Sequence, residues 1–318
     1  MSYSRNVYPL VSVLVITYKS SEYVLETLES ILHQTYSNIE LIISDDCSPD
    51  NTVEVCRRWL HVHESRFSRA ILIASEKNTG ISGNCNRGIA EARGAFVKFI
   101  AGDDLLVPEC IERFVSYLKD HNEVSLVCSG MQPFCSEVKY RDYFPPEEYD
   151  RMSARQQYRR LLREGTLFPA PALFYRRCLF EDFGGFDERY QFVEDYPFFI
   201  KVTNAGKKIH LLRLPLVKYR IYPESVSRDV SNNRFITDYC RYIDEVVVQL
   251  LRENRMYMYL WHFTLDGFLR RMKAAANPFW GNIWTRRAVL CLDPVYIKNR
   301  FNKIIGRDYL SKHNEQQL

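Results

Sequence analysis

Between residues 11 and 130 the chain alternates short β-branched apolar runs with longer stretches whose apolar residues recur at helical spacing. The runs are VSVLVI (11–16), IELIIS (39–44), AILIA (70–74), AFVKFIA (95–101) and SLVCSG (125–130). Between them lie EYVLETLESILHQ (22–34), TVEVCRRWLHVH (52–63), GNCNRGIAEAR (83–93) and PECIERFVSYLKD (108–120). Buried strands linked through helices this long predict a largely parallel sheet with right-handed crossovers, an α/β layered domain. Such a sheet takes its ligand beyond the carboxyl ends of the strands.

The residues at those ends are polar. After the first strand comes Thr17-Tyr18-Lys19, after the second Asp45-Asp46-Cys47-Ser48-Pro49-Asp50, after the third Glu76-Lys77-Asn78-Thr79-Gly80, and after the fourth Gly102-Asp103-Asp104. Asp and Asn also cap helices, and Asp50, just before TVEVC, reads first as a cap. The Asp103-Asp104 pair does not, because Pro108 already marks the next helix start. Two adjacent carboxylates suit a hard divalent cation that keeps positions for water and phosphate, with one carboxylate on the metal and the other on a ribose hydroxyl. They therefore predict a nucleotide diphosphate held through Mn2+ or Mg2+. An acidic side chain of the Asp45-Asp46 pair could accept the imide N–H of a uracil or guanine, and Tyr18 offers a face for the base. Glu194-Asp195 precedes a helical run, PFFIKV, and reads either as a helix-start carboxylate or as a general base at the same cleft.

Several classes drop out. There is no GxGxxG after the first strand and no GxxxxGK[ST], so neither a dinucleotide fingerprint nor a P-loop is present. A net charge of +4 with 26% charged residues demands no nucleic acid. The nine cysteines are scattered without a CxxC pair, which argues against a disulfide framework or zinc site and for a reducing cytosol. Cys47 and Cys85, near the expected site, read as small core residues rather than nucleophiles. No window approaches the roughly 20 apolar residues of a membrane span, so the chain reads as cytoplasmic, or bound at the cytoplasmic face of a membrane.

Residues 131–170 are charged and Tyr-rich, with a helix predicted over 153–163. From residue 231 the pattern is helical, basic and aromatic. Residues 228–318 carry about +6, with Arg270-Arg271, Arg286-Arg287 and Lys298 to Lys303 beside apolar residues. This region reads as a helical cap with a solvated face, as a peripheral contact with anionic lipid, or as a homodimer contact.

Taken together, VSVLVITYKSSEYVLETLESILHQTYSNIELIISDDCSPDNT, NTGISGNCNRGIAEARGAFVKFIAGDD, and GGFDE followed by VED resemble the family 2 glycosyltransferases of GT-A fold, over about residues 9–228. The resemblance implies a Rossmann-like, mixed but mostly parallel sheet flanked by helices, with a C-terminal helical extension. It implies a catalytic domain over 1–230, its nucleotide-sugar side over 1–130 and its acceptor side over 131–230, and a helical region over 231–318. It also implies an inverting transfer from a nucleotide-diphospho-sugar, usually UDP-linked, to a glycan or lipid-linked glycan of a surface polysaccharide. Carried over by position, Asp46 is the base-binding aspartate, Asp103 and Asp104 the metal pair with Asp104 the ligand, and Asp195 the catalytic base. Thr17, Tyr18, Asn78, Gly80, Arg87, Glu194 and Arg220 are then substrate contacts.

Two departures stand out. Many relatives carry YRxH where this chain has YRIY, so Tyr222 occupies a histidine's place and Arg220 could carry more of the phosphate charge. DDCSPD replaces the commoner DDGSTD, putting Cys47 at a glycine position. The alternatives are a nucleotidyltransferase, which would carry a Gly/Arg-rich loop where this chain has TYKSSEY, and a non-catalytic sugar-nucleotide-binding protein.

Overall fold

The computed structural model describes residues 8–135, 140–222 and 234–274. Its sheet has eight strands in the order β3-β2-β1-β4-β7-β6-β8-β5. They are β1 Val11–Thr17, β2 Ile39–Asp45, β3 Arg69–Ala74, β4 Phe96–Ala101, β5 Leu105–Leu106, β6 Leu126–Phe134, β7 Leu173–Arg176 and β8 Ile209–Arg220. The pairs β1–β2, β2–β3 and β1–β4 are parallel, in line with the crossover reading. Strand β7, absent from that reading, enters antiparallel between β4 and β6, and β8 then runs parallel to β6.

Helices α1 (Val24–Leu32), α2 (Thr52–His63), α3 (Gly80–Glu91) and α4 (Cys110–Asp120) make the crossovers. Helix α4 shows why the periodicity was readable: Ile111, Phe114, Val115 and Leu118, at helical spacing, are all buried in the sheet-facing core. Phe114 stacks on Phe174 of β7 with ring centroids 4.8 Å apart. Phe114→Ala is expected to destabilise the chain by about 3–5 kcal/mol in urea unfolding, through lost burial plus a cavity.

The charged, Tyr-rich segment 131–170 holds more regular structure than the one predicted helix. Strand β6 runs on to Phe134, and α5 (Glu148–Arg151) and α6 (Ala154–Glu164) follow. Helix α6 starts one residue later than predicted because Ser153 and Gln156 form a capping box, and it stops at Gly165 (φ 74°). Helices α7 (Cys178–Phe183) and α8 (Asp195–Asn204) come after β7 in the chain. Lys98, on β4, is fully buried; its ammonium donates to the carbonyls of Phe99, Pro171 and Leu173, fastening the approach to β7 onto β4. Burial pulls its pKa down to about 8.

The chain divides into two compact units, 1–238 and 239–318. Helix α9 (Arg234–Tyr242) begins in the first. In the second, a π-helical turn at Ile243–Val247 leads to α10 (Val248–Glu253) and α11 (Tyr257–Ala274). No helix among the described residues is long and apolar enough to cross a membrane. Arg286-Arg287 and Lys298 to Lys303, on which the lipid-contact expectation leaned, lie outside the described residues, as does the SVS after Glu224.

Candidate active site

The carboxyl ends of β1, β2 and β4 open onto a cavity of about 410 Å3. Thr17, Tyr18, Asp46, Asn78, Gly80, Asp103, Asp104, Glu194 and Asp195 all line it, so nine of the eleven expected site residues meet there. Arg87 and Arg220 stand one layer back.

At the β2 end the two aspartates divide their labour. Asp45 points into the scaffold and accepts from Thr17 Oγ1 (2.8 Å), Ser48 Oγ (2.6 Å) and Ser48 N–H (2.8 Å). Asp46, 2% exposed, turns to the cavity. It accepts from Thr79 N–H (2.9 Å), Thr79 Oγ1 (2.7 Å) and Gly80 N–H (2.8 Å), and it pairs with Arg87 at 3.3 Å. A carboxylate on the first N–H groups of a helix both caps it and complements its dipole. This cap, 33 residues away in sequence, starts α3 at Gly80 rather than at residue 83 as the pattern suggested. Asn78, exposed, donates to the Asp46 carbonyl at 3.1 Å.

Gly80 has φ 81°, and a Cβ on it would stand 2.6 Å from Gln191 Cβ. Close approach therefore brings α3 against the loop leading to Glu194-Asp195. Ser82 Oγ donates to the Tyr190 carbonyl (2.6 Å), and Asn86 Nδ2 donates to the Phe186 carbonyl (2.9 Å).

Tyr18 is 46% exposed at the mouth, with Lys19 Nζ 5.4 Å from its ring centre. Cys47 has φ 64°, so the backbone keeps the left-handed conformation natural to glycine while carrying a Cβ. Cys47→Gly is therefore expected to stabilise the chain by about 0.5–1 kcal/mol in urea unfolding, the relief of left-handed strain less the entropy of a freer unfolded glycine. Asp50, read as a cap, stands one residue before the N-cap Asn51 of α2, and its Oδ1 accepts from Thr52 N–H (3.2 Å) and Thr52 Oγ1 (2.6 Å).

The Asp103-Asp104 pair turns off β4 and is held from the far edge of the sheet. Arg220 N–H donates to Asp104 Oδ1 (2.9 Å), and Arg220 Nε donates to the Asp103 carbonyl (2.9 Å). The Arg220 guanidinium lies over Tyr23 (4.5 Å) and Phe134 (4.7 Å) and pairs with Glu26 at 2.8 Å. It braces the pair from behind the cavity wall. Tyr222 Oη donates to Asp103 Oδ2 at 2.6 Å, so the phenol that stands for the relatives' histidine contacts the carboxylate. Burial raises both carboxyls, Asp104 well above the usual range with Asp103 adding to it.

On the α8 wall of the cavity Asp195 opens the helix, with Tyr196 N–H donating to its Oδ1 at 2.6 Å. Burial pushes Asp195 up to about 6; burial and then the Asp195 charge push Glu194 to about 8. Cys85 is buried in the same wall, and desolvation drives its thiol well above its ordinary value, which leaves it a poor nucleophile.

The family model "Glycosyl transferase family 2" matches residues 12–184. The chain belongs to glycosyl transferase family 2. Among curated relatives of this family 2 chain, EpsJ and EpsH of Bacillus subtilis strain 168 are both described as glycosyltransferases. EpsJ is 29% identical over 69% of the chain and 63% of EpsJ's length; EpsH is 28% identical over 91% of the chain and 85% of EpsH. The chain thus spans less than two thirds of EpsJ.

Among solved structures, Staphylococcus aureus TarS 1–349 in complex with UDP-GlcNAc superposes with a TM-score of 0.60 at 21% identity, covering 81% of the chain and 72% of TarS 1–349. A Pyrobaculum calidifontis mannosyltransferase in complex with GDP-Man and Mn2+ gives 0.57 at 19% identity, covering 92% of the chain and 83% of the other. The family 2 fold is therefore GT-A: a mixed, mostly parallel sheet with flanking helices.

Reasoning from the family 2 sequence missed the aromatic wall: Tyr175, Phe186, Phe192 and Phe235 also line the cavity. They come from four separated segments, and nothing local marks one aromatic in a chain with 21 Tyr and 19 Phe as facing a site.

Proposed function

We propose that the chain is an inverting glycosyltransferase that moves a sugar from a nucleotide-diphospho-sugar, UDP-linked by family resemblance, to an acceptor hydroxyl on a glycan or lipid-linked glycan. The observation that carries this reading is the convergence on one cavity of Asp46, the Asp103-Asp104 pair and Asp195 from separate elements. The solved relatives bound to UDP-GlcNAc and to GDP-Man are in keeping with such a donor.

Asp46, with Tyr18 beside it, serves the nucleobase end. Asp103 and Asp104 fit a divalent cation that keeps outside ligands: no cluster of three or more His, Cys, Asp or Glu suited to a metal occurs among the described residues, which leaves coordination to phosphate and water. A bound Mn2+ or Mg2+ there would supply the positive charge that offsets the leaving diphosphate. Asp195 takes the proton of the acceptor hydroxyl as its oxygen forms a bond to the anomeric carbon. The carbon–oxygen bond to the diphosphate breaks on the opposite face, and the diphosphate leaves with the electron pair. Positioning of both substrates lowers much of the barrier. Arg220 acts through the Asp103-Asp104 backbone, and Glu194 tunes Asp195.

The test is release of nucleoside diphosphate from a panel of UDP- and GDP-sugars with Mn2+ or Mg2+. Metal-dependent turnover of one donor that falls in Asp104→Ala and Asp195→Asn is the expected result. Absence of metal-dependent binding across the whole panel would overturn the reading.

A further inference from the structure

Five carboxyls line the cavity, those of Asp46, Asp103, Asp104, Glu194 and Asp195, and among the described lining residues there is one cation, Arg234. Arg234 makes no ion pair with a described carboxylate; its guanidinium lies 6.0 Å from the ring centre of Phe192. Two residues before Glu194, Phe192 belongs to the loop that delivers the proposed base. Asp238, on the same helix as Arg234, accepts from Phe192 N–H at 3.1 Å, so the first turns of α9 are fastened to that loop. Phe235, 36% exposed, lines the cavity beside it. The cation therefore stands with the base-bearing segment, whereas the expected diphosphate position lies at Asp103-Asp104 on the end of β4.

An arginine over an aromatic ring holds a carboxylate or phosphate while the ring takes the apolar face of a sugar. A neutral acceptor would offer Arg234 no anion in a cavity whose other described lining residues include five carboxyls and no cation. From this placement we infer that the acceptor is an anionic glycan, whose carboxylate or phosphate lies next to the accepting sugar and is held by Arg234, with that sugar against Phe192 and Phe235. The inference rests on the glycosyl-transfer reading and names the acceptor class that reading leaves open.

The test uses full-length protein with Mn2+ and whichever of UDP or GDP it binds. Affinities of p-nitrophenyl β-glucuronide, p-nitrophenyl glucoside 6-phosphate and neutral p-nitrophenyl β-glucoside are compared by ligand-observed NMR titration. Wild type should prefer an anionic glycoside over the neutral one by roughly tenfold or more. That ratio should fall to about one in Arg234→Gln and be partly restored in Arg234→Lys. Equal binding of anionic and neutral glycosides by wild type, or a preference untouched in Arg234→Gln, would overturn the inference.

A second arm compares the nucleoside diphosphate with its nucleoside. If Arg234→Gln lowers diphosphate affinity selectively and by a similar factor, the cation serves the donor and the inference is likewise overturned. Failure of wild type to bind any nucleoside diphosphate would instead sink the transferase reading, so the two failures are distinct.

Discussion

Asp195→Asn is expected to lower kcat by about 10^2–10^4-fold while leaving donor binding nearly intact. The amide keeps the shape and can still accept from Tyr196 N–H, but it cannot take a proton from the acceptor. Single-turnover measurement on a competent donor, alongside titration of the nucleoside diphosphate, separates the two effects. The pH dependence gives an independent check. Asp195, raised to about 6 by burial, must be ionised to act, so kcat/KM should fall about tenfold per pH unit below that value.

Glu194, raised to about 8 by burial and then by its ionised neighbour Asp195, adds a second step. Glu194→Gln should remove the step near pH 8 and retain the acidic limb. The same variant has a stability signature of definite sign. A carboxyl whose folded pKa exceeds its unfolded value contributes stability below the unfolded pKa, and that stability is lost as pH rises through about 8. Glu194→Gln should therefore raise the melting temperature relative to wild type at pH 9 and bring no such gain at pH 4.

Asp104→Ala should lower turnover by about 10^3-fold, several kcal/mol of leaving-group stabilisation, and should also remove the metal dependence of nucleoside diphosphate binding. Uridine or guanosine, lacking phosphates, should bind wild type and variant alike. A variant that retains Mn2+-stimulated diphosphate binding would shift the metal role to Asp103. Each carboxylate has one oxygen engaged, Asp103 Oδ2 by Tyr222 and Asp104 Oδ1 by Arg220 N–H, so the response of the variant decides between them.

The framework was legible because β1, β2 and β4 are short, β-branched and buried on both faces, and because the crossover helices show clean apolar spacing. Polar strand ends marked the cavity for the same reason: a buried parallel strand can place an aspartate only where it leaves the sheet. What stayed hidden depends on contacts between remote segments. Asp45 and Asp46 are chemically identical neighbours, and only the fold turns one into the scaffold and the other into the cavity. Arg220 was expected beside phosphate, yet it lies 194 residues from its ion-pair partner Glu26, and its placement follows from β8 running along β6 to deliver it behind Asp103-Asp104. Strand β7 is only four residues long, too short for a periodic signal.

Helix α3 is fastened at both margins of the cavity. Its first N–H groups rest on Asp46, while Gly80, Ser82 and Asn86 lean on the 186–191 segment that carries the chain toward Asp195. If the proposed donor rearranges the Asp46 cap through its nucleobase, α3 joins that change to the segment leading to the proposed base. In steady-state terms this favours a compulsory sequence, donor first. The nucleoside diphosphate should then inhibit competitively against the donor and noncompetitively against the acceptor, and the released product should be the last to leave.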